Sequence, residues 1–363
     1  MRIDQCLPDF AMHDAIGNHV LQARRILREA GFQSDIWADR IDDRLAGEAR
    51  HYREYQPRRQ GILIYQLSTD SDMVPWLADV AGSGTRLFSN YHNITPSPFF
   101  RRWEPEIARK LEVARRQMAE LASATEFAIA VSEFNRAELN QAGYEHTAVA
   151  PLLVDLAAIR AAKVRKISPD RHRSRGTRWL FVGRIAPNKC QHDVVAAFAV
   201  YRRVFDPGAR LTLVGSPSSY RYLRAVRRLA SELDLGSSFE HLENIKFPDL
   251  VDCYQQSDVL VCLSEHEGFC APLIEAMEMS LPVVAYRAAA VPETVSDAGV
   301  LLDDKDPLAV ATAVADLLGD SRRRADLVSQ GAARAAELSV AATGEVFLRT
   351  VTSRLEGGPG APR

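Results

Sequence analysis

Ser264-Glu-His-Glu-Gly-Phe-Cys-Ala-Pro-Leu-Ile-Glu-Ala-Met277 is where the chain changes rhythm in a way that decides its fold. The stretch leaves the apolar run Asp258–Leu263, crosses a short loop and enters a helix near Pro272. Proline is favoured in a first helical turn because its missing N–H would have no partner there. An apolar strand feeding a helix through a short loop is half of a βαβ unit. Sheets of such units bind ligands in crevices beyond the carboxyl ends of their strands.

Working outward, the same alternation recurs. Strands are predicted at Trp179–Gly183, Arg210–Gly215, Ser238–Leu242, Asp258–Leu263, Pro282–Tyr286 and Gly299–Leu302. Helices are predicted between and after them at Gln191–Phe205, Ser218–Leu233, Phe247–Gln256, Pro272–Met279, Pro292–Val295 and Pro307–Leu318. The first half is less regular. Strands are expected at Ile3–Leu7, Ser34–Ala38, Gly61–Leu67, Arg86–His92, Glu126–Val131 and Thr147–Ala150, and helices at Asn18–Ala30, Arg101–Leu121 and Glu133–Ala142. Ser132 stands where an N-cap belongs, and Gly31 and Gly143 where helices should stop. Strands alternating with helices in both halves predict an α/β protein with two parallel sheets.

At 363 residues the chain is long enough for about two domains. The basic, polar stretch Lys163–Arg178 reads as the connection between them, giving 1–165 and 166–339, with 356–363 expected to be disordered. The stretch contains Pro169 and Gly176; its basicity also suits phosphates or anionic lipid. Composition is that of a soluble globular protein, 47% hydrophobic and 25% charged. Net charge is −2, which argues against a dedicated nucleic-acid binder. The cysteines, Cys6, Cys190, Cys253, Cys262 and Cys270, contain no C-x-x-C pair, so a zinc ribbon or thioredoxin-type site is excluded. Their scatter favours a reducing, cytoplasmic setting. The chain has no run of 18 apolar residues and no signal-peptide pattern at its start.

Two elements carry chemistry. In the quoted stretch, Glu267 sits in the loop and Glu275 about one turn into the helix. A helix start offers free N–H groups and the positive end of the helix dipole to an anion. Flanking carboxylates suit a ligand that joins phosphate to hydroxyl-rich groups, and Gly268 lets backbone approach it. The spacing alone is common, and by itself it favours an ordinary turn with two solvent-facing glutamates. The second element is Trp179-Leu-Phe-Val-Gly-Arg-Ile-Ala-Pro-Asn-Lys189, a strand ending in Gly183, then Arg184, then Lys189 at the head of a helix. Two cations at a strand's carboxyl end suit a diphosphate, though such residues are also common at strand ends. Together the two elements frame one anionic, sugar-like ligand.

Phe181-Val-Gly-Arg-Ile…Asn-Lys189, Glu267-Gly-Phe…Glu275-Ala-Met and Leu281-Pro-Val-Val-Ala…Val-Pro-Glu293 resemble, in order and approximate spacing, the retaining GT-B glycosyltransferases usually called family 4. The resemblance covers the second half from about Trp179 to Leu318. Weaker matches in the first half are Asp14–Asn18 with Gly17, Tyr91-His-Asn-Ile-Thr-Pro96 with His92, and Ser132–Arg136. The resemblance implies two Rossmann-like domains facing a central cleft, with a helix at about 340–355 returning to the first domain.

It also implies roles. Arg184 and Lys189, after Gly183, would bind the donor diphosphate and stabilise the charge that grows on it. Glu267 would meet hydroxyls of the transferred sugar, and Glu275 the ribose diol. Backbone N–H groups of Phe269 and Cys270 would face the sugar or phosphate. His92 would lie near the transferred sugar and the acceptor, and Gly17 would let the acceptor-side loop approach. No metal or cofactor is implied beyond the nucleotide diphosphate sugar, which is the donor substrate. Donors linked to GDP, as for a mannosyltransferase, or to UDP both fit. The acceptor is expected to be a glycan or lipid-linked hydroxyl in cell-surface polysaccharide or glycolipid synthesis. The basic pairs of helix 101–121 (Arg101-Arg102, Arg109-Lys110, Arg115-Arg116) suit peripheral contact with the inner membrane face, or simply a solvated helix face. Cys270-Ala271 stands where the family commonly has Gly-Leu, and a Cβ there narrows the space beside the donor.

A non-catalytic sugar-nucleotide-binding subunit would lack some of Arg184, Lys189, Glu267 or Glu275, yet all four are present. An NAD-dependent epimerase or dehydrogenase would show G-x-G-x-x-G after the first strand, where only Gly17 stands.

Overall fold

The computed structural model describes residues 1–11, 15–162 and 176–355. Asp14, most of the expected linker and the expected disordered tail lie outside the described residues. The chain forms two compact units. The first holds Met1–Ser97, Glu106–Asp155 and the chain from Leu338 onward; the second holds Pro98–Pro105 and Leu156–Glu337.

The first unit is built on seven parallel strands: β1 (Ile3–Phe10), β2 (Ile36–Ile41), β3 (Arg50–His51), β4 (Ile62–Leu67), β5 (Arg86–Tyr91), β6 (Phe127–Ala130) and β7 (Thr147–Val149). Their order is β3-β2-β1-β4-β5-β6-β7. β4 shows why its sequence reads as a mostly apolar run, with Gln66 as its polar member. Ile62 and Ile64 pack on one face with Ile3, Phe88 and Phe127, and Leu63, Tyr65 and Leu67 pack on the other with Leu77, Met118 and Leu121. Side chains alternate across a strand, so a sheet covered on both faces favours apolar residues at most positions, and a buried polar one such as Gln66 must be hydrogen-bonded. The covering helices are α1 (Ala15–Glu29), α2 (Val74–Gly82), α4 (Pro105–Leu121), α5 (Glu133–Gln141) and α14 (Val340–Thr352). The last packs against α1 and sends Phe347 and Val351 into the core beside Ile3.

The expected single helix over 101–121 is two. α3 (Pro98–Arg101) ends where Trp103 and Glu104 N–H groups both donate to Phe100 O, at 2.9 and 2.7 Å. Pro105 disfavours a helical conformation at Glu104 and then opens α4 itself. α3 clusters with the second unit, as does α6 (Leu156–Ala161), although the division at 165 placed both in the first.

The second unit has six parallel strands: β8 (Arg178–Val182), β9 (Arg210–Val214), β10 (Phe239–Leu242), β11 (Val259–Cys262), β12 (Val283–Tyr286) and β13 (Val300–Leu302). Their order is β10-β9-β8-β11-β12-β13. Counted from β8 this is 3-2-1-4-5-6, the order of a doubly wound dinucleotide-type sheet. Helices α7 (Gln191–Val204), α8 (Tyr220–Glu232), α9 (Phe247–Gln256), α10 (Ala271–Glu278), α11 (Val291–Val295), α12 (Pro307–Gly319) and α13 (Ser321–Glu337) complete it. Trp179, Phe181, Phe198, Leu211 and Tyr222 head one buried cluster. α13 was not expected from sequence. It buries only Gly331 and Ala335, so it lacks the apolar stripe that announces a helix.

Candidate functional site

In the second unit the chain moves from β8 to β9 on one side of the sheet and later returns to β11 on the other. The crevice between the carboxyl ends of β8 and β11 is therefore the topological switch point, where such sheets bind ligands. The two elements singled out in the sequence are the loops that line it. They are tied together by backbone and amide bonds. The Glu265 N–H donates to Asn188 O at 2.9 Å, and Asn188 Nδ2 donates to His266 O at 3.1 Å. Gly183 has φ 147° and Gly215 φ 146°, and a Cβ on Gly215 would fall 2.0 Å from Gly183 O. No side chain fits there, so the loops after β8 and β9 lie as close as backbone allows.

Lys189 and Glu267 meet at this point. The Lys189 ammonium donates to Glu267 Oε2 at 2.5 Å, with the side chains 20% and 7% exposed. Burial alone would pull the Lys189 ammonium down. The Glu267 carboxylate outweighs that and holds it above its ordinary value, so it stays a cation at neutral pH. An ammonium has three donors, and Glu267 uses one.

Both loops enter their helices through a cysteine in the left-handed region: Cys190 (φ 51°, ψ 42°) before α7 and Cys270 (φ 70°, ψ 65°) before α10. The Cys270 conformation explains why glycine suits that position in the resembling family. Thr294 Oγ1 holds this turn from behind by donating to Phe269 O at 2.5 Å. Among the described residues, the Phe269 and Cys270 N–H groups have no protein acceptor. Such groups at a helix start are an anion site.

Cys262, at the end of β11, lies under Cys270 with sulfurs 3.8 Å apart, and donates to Ser264 Oγ at 3.4 Å. The Cys270 thiol hydrogen-bonds to Cys262 and pulls the Cys262 thiol down against its burial. The same bond, with burial, pushes Cys270 well up. Sequence spacing gave no reason to pair them.

Glu275 accepts from the Tyr254 hydroxyl at 2.6 Å. Burial raises the Glu275 carboxyl, and the Tyr254 bond works against that rise. Tyr254 was not singled out from sequence, because it arrives from α9, a separate helix. Arg184 is exposed, and among the described residues its guanidinium has no ion-pair partner; its backbone carbonyl accepts from Gln191 Nε2 at 2.9 Å. Gly268 is buried in the loop. Segment 98–105, also unexpected, lines this unit. Ser219 Oγ donates to Glu104 Oε1 at 2.7 Å, Trp103 packs edge-on to Tyr222, and Phe99 lies 6.4 Å from the His266 ring.

Gly17 and His92 belong to the first unit. Gly17 lies in the first turn of α1, where a Cβ would come 2.7 Å from Ala11 O, so glycine allows the chain leaving β1 to turn closely. His92 follows β5. Its Nε2 lies 2.6 Å from Gln66 Oε1, which also accepts from Asn90 Nδ2 at 3.1 Å. Gln66 Nε2 in turn donates to Gln5 Oε1 at 3.1 Å. His19, absent from the sequence reading, lies beneath. Its Nδ1 accepts from the Leu153 N–H at 3.1 Å, its Nε2 is 2.9 Å from the Asn90 amide, and its ring stands edge-on to His92 at 5.0 Å. Burial pulls His19 down to about 3 and His92 well below its ordinary value, so both are neutral at pH 7.

Residues 165–334, a little under half of the chain, match the family described as "Glycosyl transferases group 1". This segment is similar to the group 1 glycosyltransferases. It contains Lys189, Glu267, Cys270 and Glu275. The D-inositol 3-phosphate glycosyltransferase of Corynebacterium urealyticum is 32% identical over 187 residues, 49% of this chain and 44% of that protein. The GDP-mannose-dependent alpha-(1-6)-phosphatidylinositol monomannoside mannosyltransferase of Mycolicibacterium smegmatis is 33% identical over 153 residues, 40% of this chain and 39% of that protein. The chain thus spans less than half the length of these relatives. Anabaena HepE, solved with UDP and glucose, superposes with a TM-score of 0.75 at 17% identity, covering 97% of this chain and 100% of that one. A glycosyltransferase from Rickettsia africae gives 0.74 at 14% identity over 98% and 99%. The fold is GT-B, with two Rossmann-like parallel sheets. Among the described residues no helix is long and apolar enough to cross a membrane.

Proposed function

We propose that this chain is a retaining glycosyltransferase that moves a hexose-type sugar from a GDP- or UDP-linked donor to an acceptor hydroxyl. One observation carries the reading: the Lys189–Glu267 pair stands at the switch point beside the N–H groups that open α10, which have no protein acceptor among the described residues. Lys189 keeps two donors for the diphosphate, and the helix start adds backbone donors, so charge growing on the leaving group meets fixed positive partners. Arg184, exposed and without an ion-pair partner among the described residues, is the second cation. Glu267 receives sugar hydroxyls. Glu275, with one oxygen held by Tyr254, offers the other to the ribose diol. These cations take the part a metal ion plays in other transferases, and the transfer needs none.

Glu267 is a poor nucleophile because its charge is already balanced by an ammonium. The reading is therefore front-face displacement, in which the leaving diphosphate takes the acceptor proton while the sites hold donor and acceptor in orientation. His92, neutral and hydrogen-bonded to Gln66, serves the sugar and acceptor side as a hydrogen-bonding group rather than a charge. The Mycolicibacterium relative supports a GDP-linked donor and a lipid-linked acceptor, the Corynebacterium relative a polyol acceptor, and the Anabaena complex a UDP-linked donor. The setting we propose is cell-surface polysaccharide or glycolipid synthesis at the cytoplasmic side of the membrane, with contact through the exposed basic face of α4. Arg109, Lys110 and Arg116 are exposed there, whereas Arg115 is spent on Glu138 at 2.7 Å. The test is thermal stabilisation by UDP, GDP and dTDP, followed by diphosphate release with candidate acceptors. No shift with any nucleotide would overturn the reading.

A further inference from the structure

We propose that Cys262, Cys270 and Glu267 form a binding site for one thiophilic divalent cation, Zn2+ or Cd2+, and that its occupancy shuts the donor site. The second half rests on the function proposed above; the first stands alone. The ligand atoms of these three residues all lie within 4.8 Å of one another. Two thiolates bound to one tetrahedral zinc at about 2.3 Å lie about 3.8 Å apart. The Cys262 and Cys270 sulfurs are 3.8 Å apart. A sulfur–oxygen edge from the same bond lengths is about 3.6 Å, inside the observed limit. The two sulfur ligands come from fixed elements, since Cys262 ends a central strand and Cys270 opens a helix, while Glu267 comes from the loop between them.

Charge also closes. Two thiols lose their protons to solvent as the ion binds, so each sulfur forms a metal bond in place of an S–H bond. Two thiolates and a carboxylate carry −3, the ion +2, and Lys189 on Glu267 Oε2 the remaining +1. Lys189 then plays the part of an outer partner that orients a metal-bound carboxylate. Two sulfurs select against Mg2+ and Ca2+. Cys270 is only half-buried, which leaves the fourth position open to water or an anion. An ion there removes Glu267 from sugar hydroxyls and stands at the opening of α10.

The test is titration of the reduced, nucleotide-free full chain with CdCl2, read by the sulfur-to-cadmium charge-transfer band. One ion per chain is expected. The band should be lost in Cys262→Ser and in Cys270→Gly, the latter chosen because glycine suits the left-handed backbone, and kept in Cys253→Ser. Stabilisation by UDP or GDP should be lost when Zn2+ is added and return with a chelator. Absence of the band in the reduced native chain, or its survival in folded Cys270→Gly, overturns the site. A band with the expected variant pattern but no glycosyl transfer sustains the metal site and counts against the transferase reading alone.

Discussion

The two sheets share a strand order around their switch points, yet the side chains gathered near them differ in kind. In the first unit the cluster is Gln5, Gln66, Asn90, His19 and His92, amides and neutral imidazoles without a formal charge. In the second it is Lys189, Glu267 and Glu275 with two thiols and the backbone N–H groups of Phe269 and Cys270. One topology thus supplies two sites of opposite electrostatic character. Under the function proposed above, the charged one serves the diphosphate and the neutral one positions hydroxyls.

The most severe way to break this contrast is Lys189→Ala. Transfer should fall by about a thousandfold, the scale of losing one group that stabilises developing charge. Because Glu267 is nearly buried, stability should also fall by about 3 kcal/mol through an unpaired carboxylate. Lys189→Ala with Glu267→Gln should recover most of that stability and none of the rate. Recovery of rate in the double variant would mean that the pair is structural.

The neutral side is tested by acid. In the folded chain His19 ionises only at about 3, whereas the unfolded chain binds that proton near 6.5. His19 therefore adds stability that is full above pH 6.5 and is lost as pH falls toward 3, by about 1.4 kcal/mol per pH unit. His92 acts in the same direction. Urea melts from pH 7 to 4.5 should show this slope, and His19→Gln should flatten it; an unchanged slope would place charge in the first unit's cluster.

A smaller effect is expected for Tyr254→Phe. Loss of a hydrogen bond to a carboxylate should weaken nucleotide binding about tenfold and leave kcat near its starting value. A fall in kcat with unchanged binding would move Glu275 from the ribose to the chemistry. The smallest is Cys270→Gly, which relieves a left-handed non-glycine residue and should stabilise the chain by about 1 kcal/mol in thermal melts. Destabilisation would show that the Cys262 contact outweighs the strain.

How much of this was legible in the sequence varied with the range of the interaction. β4 and β8 were readable because strands buried on both faces are mostly apolar, Gln66 and Arg178 being their polar positions. Ser132 was readable as an N-cap because its bond to the Asn135 N–H, at 3.1 Å, is local. Lys189 and Glu267 were each picked out, but not as an ion pair: they are 78 residues apart, and only the adjacency of β8 and β11 joins them. His19 and Tyr254 left no local sign, since each acts through a partner on another element. The break before α4 was signalled by Pro105, yet the apolar stripe that runs through it read as one helix.

The position of α14 has a consequence for how the protein is made. Phe347 and Val351 fill the same core as Ile3, yet the whole second unit is encoded between them. During synthesis the first unit waits with that face open while the second, formed by Pro98–Pro105 and Leu156–Glu337, finishes folding. The strands translated first are thus among the last to be sealed, and the open face around Ile3 and Phe88 is where a chaperone would find work.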